Sequence, residues 1–201
     1  MLAIVLAAGR GRRVGGPKAL LDLAGVPALE RVLAALRDGG IESIRVVLGA
    51  QAERVKSQVD LSKENVTHTE NIDWGQTASL QAGLALGPVD DDGFVVHPVD
   101  VALVDPESVA TLRSAFVSRP QEISIVVPSV AGRRGHPAFF AAPLAAEFAA
   151  LADNEPAHRI VRRDPARVCH VVMDKPWLVH DLDLPRDVRA ARDELGHRPV
   201  D

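Results

Sequence analysis

The apolar positions of this chain follow two rhythms in turn. Residues 2–6 form a short unbroken apolar run that gives out before Gly9, the pattern of a strand buried on both faces. A loop follows with Gly9, Gly11, Gly15, Gly16 and Pro17. Pro27 then opens a segment whose apolar residues Leu29, Val32, Leu33 and Leu36 recur at i, i+3, i+4 and i+7, and Gly39-Gly40 ends it, which predicts a helix. Residues 44–48, 66–69, 94–97 and 123–127 read as further strands. Between them, three stretches read as helices: 51–58, a segment carrying Ser79, Leu80 and Leu84, and one begun by Asp105-Pro106 with Glu107 in its first turn.

After Pro128 the rhythm breaks. Gly132-Arg-Arg-Gly135 predicts a turn, and residues 137–140 after it predict a hairpin or an irregular excursion. A helix around 144–151, a charged stretch to Arg163, a strand near 168–172 and a helix from Pro185 complete the chain. Strands and helices alternating at these intervals predict βαβ units and a mainly parallel, mixed sheet, in an α/β three-layer α/β/α sandwich of Rossmann-like type. No repeat or linker divides the 201 residues, which suit one domain.

Composition sharpens this picture. Hydrophobic residues make up 47% but aromatics only 3%, with no tyrosine, so the core is built from Ala, Val, Leu and Ile, as a helix-covered parallel sheet prefers. The net charge is −4 and no basic run tracks a phosphate backbone, which excludes a general nucleic-acid binder. Positive charge gathers instead at Arg10, Arg12, Arg13 and Lys18, a local anion site. The single Cys169 excludes an intrachain disulfide and a cysteine-rich zinc site, and no two histidines have metal-ligand spacing. The N-terminal apolar run is short, with no basic residue before it, and nothing approaches the ~20 apolar residues of a membrane span. A cytoplasmic protein without a membrane partner is expected.

A glycine-rich turn between strand and helix presents backbone N–H groups to an anion. The dinucleotide motif does not fit: its third glycine is Val14, and Gly49-Ala50-Gln51 stands where an acidic residue is needed. The Walker motif fails as well, because Pro17 precedes Lys18 and Ala19 follows it. What remains is Leu6-Ala-Ala-Gly-Arg-Gly-Arg-Arg-Val-Gly-Gly-Pro-Lys-Ala-Leu-Leu21. It resembles the opening of the nucleotidyltransferase superfamily, Leu-Ala-Ala-Gly-x-x-x-Arg-Met-Gly-x-Pro-Lys-x-Leu-Leu, and departs from it only at Val14. The resemblance implies that the backbone of Leu6, Ala7, Ala8, Gly9 and Gly11 lies against base and phosphates. It also implies that Arg13 and Lys18 neutralise the β- and γ-phosphates and the departing pyrophosphate.

Further segments are similar to the molybdenum cofactor cytidylyltransferases of that superfamily. Asn71-Ile-Asp-Trp-Gly-Gln-Thr-Ala-Ser-Leu-Gln-Ala-Gly-Leu84 resembles their nucleotide-recognition stretch, two residues shorter between Trp74 and Gly75. This puts Gly75 and Ser79 beside the base and ribose, with Ser79 at a helix start; taken alone, the segment also reads as an ordinary loop and helix cap. Val96-His-Pro-Val-Asp100 ends a strand in a carboxylate, and the resemblance makes Asp100 the catalytic magnesium ligand, although a lone aspartate there also serves as a turn or cap residue. Asp181-Leu-Asp-Leu-Pro185 resembles Asp-Ile-Asp-Thr-Pro, with Asp183 as second metal ligand and Asp181 in support or simply at a helix N-terminus. Gly132-Arg-Arg-Gly-His-Pro137 matches a turn beside the acceptor, assigning Arg134 and His136 to an acceptor phosphate, with a structural role for His136 equally open. Residues 152–159 depart from the family's Gly-Asp-x-Gly-Ala-Arg, losing both glycines; the resemblance leaves Asp153 and Ala157 as the corresponding positions and implies Asp153 as the acceptor contact.

Together these likenesses imply a nucleotide lying across strand C-termini, with residues 1–128 as its binding core and residues 129–201 as an acceptor-side elaboration. They imply Mg2+-dependent transfer of CMP from CTP to a phosphate-bearing acceptor, molybdenum cofactor, with a molybdoenzyme receiving the product. The alternative within the fold is a transferase using GTP or another nucleotide and a different phosphorylated acceptor, but guanine enzymes open with Leu-x-Gly-Gly, whereas Ala7-Ala8 follows the cytidine pattern. A non-catalytic cofactor carrier is the alternative from another class. The altered residues 152–159 keep it open, and the retained Lys18, Asp100 and Asp183 argue against it.

Overall fold

Alternate residues of the first strand serve two different cores. Along β1 (Leu2–Ala7), Ala3, Val5 and Ala7 join one hydrophobic cluster and Leu2, Ile4 and Leu6 the other. The pleat of a strand imposes that division, and a strand buried on both faces must be central. In the computed structural model, which describes residues 1–69, 75–152 and 155–197, β1 pairs in parallel with β4 (Ser43–Leu48) on one side and β6 (Phe94–Pro98) on the other. β5 (Asn65–His68) extends the sheet beyond β4. Beyond β6 come β9 (Ala138–Phe140), β7 (Ile125–Val130) and β10 (Val168–Val172). All of these run parallel to β1 except β9, which is antiparallel to both neighbours. The two-residue β8 (Arg133–Arg134) folds back on β7, and β2 (Asp22–Leu23) with β3 (Val26–Pro27) makes a separate small ribbon.

Helices cover both faces. α1 (Ala28–Asp38), α4 (Pro106–Val117) and α7 (Pro185–His197) supply Leu29, Val32, Val109, Leu112, Val188 and Ala191 to the Ala3–Val5 side. The short α2 (Ala52–Lys56) adds Val55 there. On the opposite face α3 (Gly75–Leu84), α5 (Leu144–Ala149) and α6 (His158–Arg163) bring Leu80, Phe148 and Ile160 against Ile4 and Phe94. The result is a three-layer α/β sandwich with a mostly parallel sheet. No described helix is long and apolar enough to cross a membrane.

α3 lies unusually close to the sheet. A Cβ added at Gly83 would fall 2.5 Å from Cγ2 of Ile4 and 3.0 Å from Cγ2 of Val47. The buried Arg45 of β4 closes the C-terminal end of α3 by donating to the carbonyls of Gly83, Gly87 and Pro88. A guanidinium there satisfies orphan carbonyls and complements the helix dipole.

Local signals held where they were strong. Asp105 accepts from Ser108 N at 2.9 Å and so caps α4 as expected. The structure departs from or refines the sequence reading in four places. Ser79 is not at a helix start, because α3 already begins at Gly75 and Ser79 sits in its second turn. Of the two alternatives for residues 137–140 the hairpin holds, since β8 and β9 both pair antiparallel with β7; β9 also fills the gap between β6 and β7, which the sequence does not predict. The charged stretch before Arg163 contains α6, whose six residues bury only Ile160 fully and are too few to show a period. The β2–β3 ribbon is too short to leave an alternation in the sequence.

Candidate active site

Strand order reverses direction at β1: the chain moves outward to β4 and β5, then returns to β6 on the other side. In an open α/β sheet the crevice at such a switch point, beyond the strand C-termini, is where ligands bind. The loops after β1 and β6 border it here, and Val99 N donates to Leu6 O at 3.0 Å to hold them together.

The loop after β1 builds itself around Gly11. Its carbonyl accepts from Val14 N at 3.0 Å and Gly16 N at 3.2 Å, closing a single 3-10 turn over Arg12–Val14. Gly11 has φ +56, and a Cβ there would lie 1.8 Å from Gly16 O. Glycine is therefore required by the closure of the turn itself. Gly9, by contrast, faces open space and lines the cleft. After Pro17, a second 3-10 turn over Lys18–Leu20 buries Ala19 and turns the lysine inward.

Lys18 joins two distant carboxylates. Its Nζ donates to Asp100 Oδ2 at 2.6 Å, just past β6, and to Asp183 Oδ1 at 2.5 Å, just before α7. The irregular segment that carries Asp183 is pinned: Leu182 N donates to Asp100 O at 3.0 Å, and Asp183 N and Leu184 N both donate to Asp187 Oδ2. Burial works against the Lys18 ammonium, but Asp100 and Asp183 outweigh it and hold Lys18 above its usual range. The Lys18 hydrogen bond, with the charges of Lys18 and Arg13 behind it, keeps the Asp183 carboxyl below the usual range despite partial burial. Asp181 moves the other way, raised by burial and by the charges of Asp100 and Asp183.

Leu6, Ala8, Gly9, Lys18, Gly75, Ser79 and Asp100 line one cleft of about 190 Å³. Ala7 turns its side chain into the core. Exposed Arg13 sits on the turn that packs against α7, within electrostatic reach of Asp183. Arg134 and His136 come together in an adjoining cavity of about 260 Å³, which shares Leu6 and Gln76 with the cleft. Asp153, Asn71 and Trp74 lie outside the described residues.

His136 packs edge-to-face on His97, with ring centroids 6.3 Å apart. Fully buried His97 donates from Nε2 to the Val101 carbonyl at 3.0 Å. Burial, reinforced by His136, pushes its pKa down to about 3 against the opposing Val101 carbonyl. Burial also lowers His136, opposed by the Val96 carbonyl and the Asp100 charge. Both rings are neutral at pH 7 and hold a buried, unpartnered Nδ1.

Among the described residues no three His, Cys, Asp or Glu side chains converge on a point. A closed protein cage for a metal is therefore not what these residues offer. The buried Asp100 Oδ1 has no hydrogen-bond partner, and Asp183 stands across Lys18 from it. Two carboxylates are the oxygen donor set that Mg2+ takes together with phosphate oxygens and water, so the residues fit that ion.

Sequence reasoning missed Gln76, Leu80, His158 and Arg162, which line these two spaces. For α3 a signal existed: Gln76, Ser79 and Leu80 stand at i, i+3 and i+4 and share one helix face. Also missed were Thr77 and Gln81, which tie α3 to the chain before α6. Thr77 donates to Glu155 O at 2.6 Å, and Gln81 donates to Leu151 O at 2.9 Å.

Residues 3–168 match the model of a family described as the MobA-like NTP transferase domain. The chain is 33% identical over 191 residues to nicotine blue oxidoreductase of Paenarthrobacter nicotinovorans, covering 90% of this chain and 85% of that protein. It is 33% identical over 150 residues to 2-C-methyl-D-erythritol 4-phosphate cytidylyltransferase of Chromohalobacter salexigens, covering 66% of this chain and 57% of that protein. Among solved structures, Rv0371c of Mycobacterium tuberculosis superimposes with a TM-score of 0.84 at 26% identity, over 96% of this chain and 98% of that one. A manganese complex of the same protein gives a TM-score of 0.80, over 96% of this chain and 97% of that one.

Proposed function

Because the chain belongs to the MobA-like NTP transferase family, we propose that it transfers the CMP part of CTP to a phosphate-bearing acceptor, with molybdenum cofactor as that acceptor and a molybdoenzyme as recipient of the product. The observation that carries this is the Lys18 bridge between Asp100 and Asp183 at the mouth of the β1–β6 crevice. Three separate segments bring a cation and two carboxylates to one point, which is costly to assemble without a use for the charges. For CTP, the support is the Ala7-Ala8 pattern and the cytidylyltransferase among the relatives.

In this mechanism the acceptor phosphate oxygen attacks the α-phosphorus of the nucleotide in line. A new P–O bond forms as the bond to the β-phosphate bridging oxygen breaks, and pyrophosphate leaves. The backbone around Ala8 and Gly9 receives the nucleotide, and Ser79 and Gly75 flank it from α3. Asp100 and Asp183 would hold Mg2+, which when bound neutralises charge on the phosphate oxygens. Lys18 and Arg13 carry positive charge toward the leaving pyrophosphate, Lys18 as a point charge and Arg13 as a planar fork. A phosphate monoester is already an anionic nucleophile at neutral pH, so no general base is required.

The test is pyrophosphate release by the purified protein with Mg2+, across CTP, GTP, ATP and UTP, each with and without molybdenum cofactor. Release with CTP and cofactor alone supports the full assignment. Release with another nucleotide keeps the chemistry and replaces the donor. Silence in every well, from a preparation that binds nucleotide, rejects molybdenum cofactor as the acceptor and leaves a different acceptor or the carrier.

A second reading is favoured by the relative named nicotine blue oxidoreductase, which aligns with nine-tenths of this chain. Here the adjoining apolar cavity takes a quinoid ring, and an added reductant supplies the hydride that the ring accepts. Oxidation of NADPH in the presence of a quinoid dye, absent without protein, would establish it.

A further inference from the structure

The two edge strands of the main sheet differ in composition. At one edge β5 is four residues long with a single apolar position, Val66. At the other, β10 reads Val-Cys-His-Val-Val, without a charged residue or a proline, and among the described residues no strand lies beyond it. Monomeric sheet proteins blunt such an edge with charge, proline or a covering segment. Here the side chains add to the exposure. Val172 is 85% exposed, and Cys169, Val171 and Met173 are only partly buried against the core.

The backbone groups of β10 alternate in direction. Met173 N donates to Ser129 O at 3.0 Å, so Cys169, Val171 and Met173 turn toward β7, and Val168, His170 and Val172 turn their N–H and C=O groups outward. Those three positions are symmetric about His170. We infer that β10 pairs antiparallel with β10 of a second copy of this chain, about a two-fold axis at His170, so that one sheet runs through both copies. Val168 then stands opposite the partner's Val172, Cys169 opposite the partner's Val171, and His170 opposite its own copy. Each outward group gains a mate, which amounts to about six hydrogen bonds between the chains. A register shifted either way leaves some of the three positions unpaired. The contact is isologous and closes on itself, as a dimer requires.

Charge favours the same occupant. Arg162, Arg163 and Arg167 precede the strand and outnumber Asp164 and Glu147 beside them. Exposed Asp174 follows it, and Lys175 there is outnumbered by Asp105 and Glu107. Antiparallel pairing brings the acidic end of each β10 to the basic end of the other, which complements the potentials of the two edges. Three strands separate β10 from β1, so both nucleotide clefts stay open, at opposite ends of the joint sheet.

Sedimentation velocity from about 1 µM to about 100 µM covers the range in which interfaces of modest size dissociate. The wild-type chain should pass from the one-chain to the two-chain species as concentration rises. His170→Glu sets two carboxylates face to face on the axis and should raise the dissociation constant at least about tenfold. Its thermal unfolding and nucleotide affinity at the lowest concentration should match the wild type, because the position is exposed and remote from the cleft. Leu86→Glu, at an exposed apolar position just past α3 on the β4–β5 side, should leave the dimer intact. Register has its own readout. Val171→Cys places a thiol opposite the partner's Cys169, in a pair whose Cα atoms approach to about 4.5 Å, within disulfide range. Mild oxidation of that variant should give a covalent dimer that a reductant splits. A wild type that stays monomeric throughout overturns the inference and leaves the edge to a strand of another protein. A dimer that His170→Glu does not weaken, or from which Val171→Cys forms no covalent product, overturns it as well.

Discussion

Lys18 Nζ and Asp183 Oδ1 meet at 2.5 Å across 165 positions of the chain, and the same ammonium reaches Asp100 at 2.6 Å. The lysine thus offsets one of the two negative charges on the carboxylates that would take Mg2+. Binding of metal must compete with an internal cation, and a triphosphate offers that cation somewhere else to go.

Lys18→Gln should therefore act in two directions. Pyrophosphate release should fall by about 10²–10³, the usual loss on removing one preorganised donor to developing charge. Mn2+ binding to the nucleotide-free protein should tighten, because the carboxylates lose their competitor. Paramagnetic titration of free Mn2+ reads the second effect without any turnover. Weaker Mn2+ binding in the variant would separate Lys18 from the metal site.

Asp100→Asn retains the shape of the side chain and removes its charge. Turnover with Mg2+ should vanish while thermal unfolding shifts by only a few degrees, since Lys18 keeps Asp183 as partner. Full activity in this variant would move the metal elsewhere.

Two glycines should respond differently to alanine. Gly11→Ala forces φ +56 on a side chain and drives a Cβ into Gly16 O, so it should distort the phosphate loop and cost about 2 kcal/mol or more. Gly83→Ala pushes α3 off Ile4 and Val47, an overpacking cost of about 1–3 kcal/mol. Urea unfolding measures both. Nucleotide affinity should drop far more for Gly11→Ala, because Gly11 closes the loop that carries Gly9 and Lys18, whereas Gly83 only packs α3 on the sheet.

His97 should make the fold sensitive to acid. Its pKa in the folded chain is lowered to about 3, so between the ordinary histidine range and that value the unfolded chain binds the extra proton. Stability then rises with pH across that window and is lost as pH falls through it. The upper limit of the effect is on the order of 5 kcal/mol. His97→Phe keeps a buried ring and removes the titration, so its unfolding free energy should vary less steeply between pH 6 and pH 4, at about those two values. An unchanged slope would assign the acid sensitivity to other groups.

Much of the fold was legible because its signals are local. The apolar run before Gly9, the 3.6-residue spacing from Leu29 to Leu36 and the Asp105-Pro106 cap each depend on neighbours in sequence, and each appears where expected. The hairpin through β8 and β9 is read from its Gly132–Gly135 turn, but the insertion of β9 between β6 and β7 depends on distant pairing that no local pattern records. α6 and the β2–β3 ribbon were missed because they are shorter than the period that would reveal them.

What the sequence determined by itself was the alternation of strand and helix, the glycine-rich loop, and the kinds of charged residue available. Backbone conformation and periodic burial are set by adjacent residues, so they can be read along the chain. Only the tertiary structure decided that Lys18, Asp100 and Asp183 share one point, that Gln76 and Leu6 join two spaces, and that Arg134 and His136 edge an apolar cavity. Those relationships depend on strand order, and strand order is chosen by which buried faces fit together across the whole sheet.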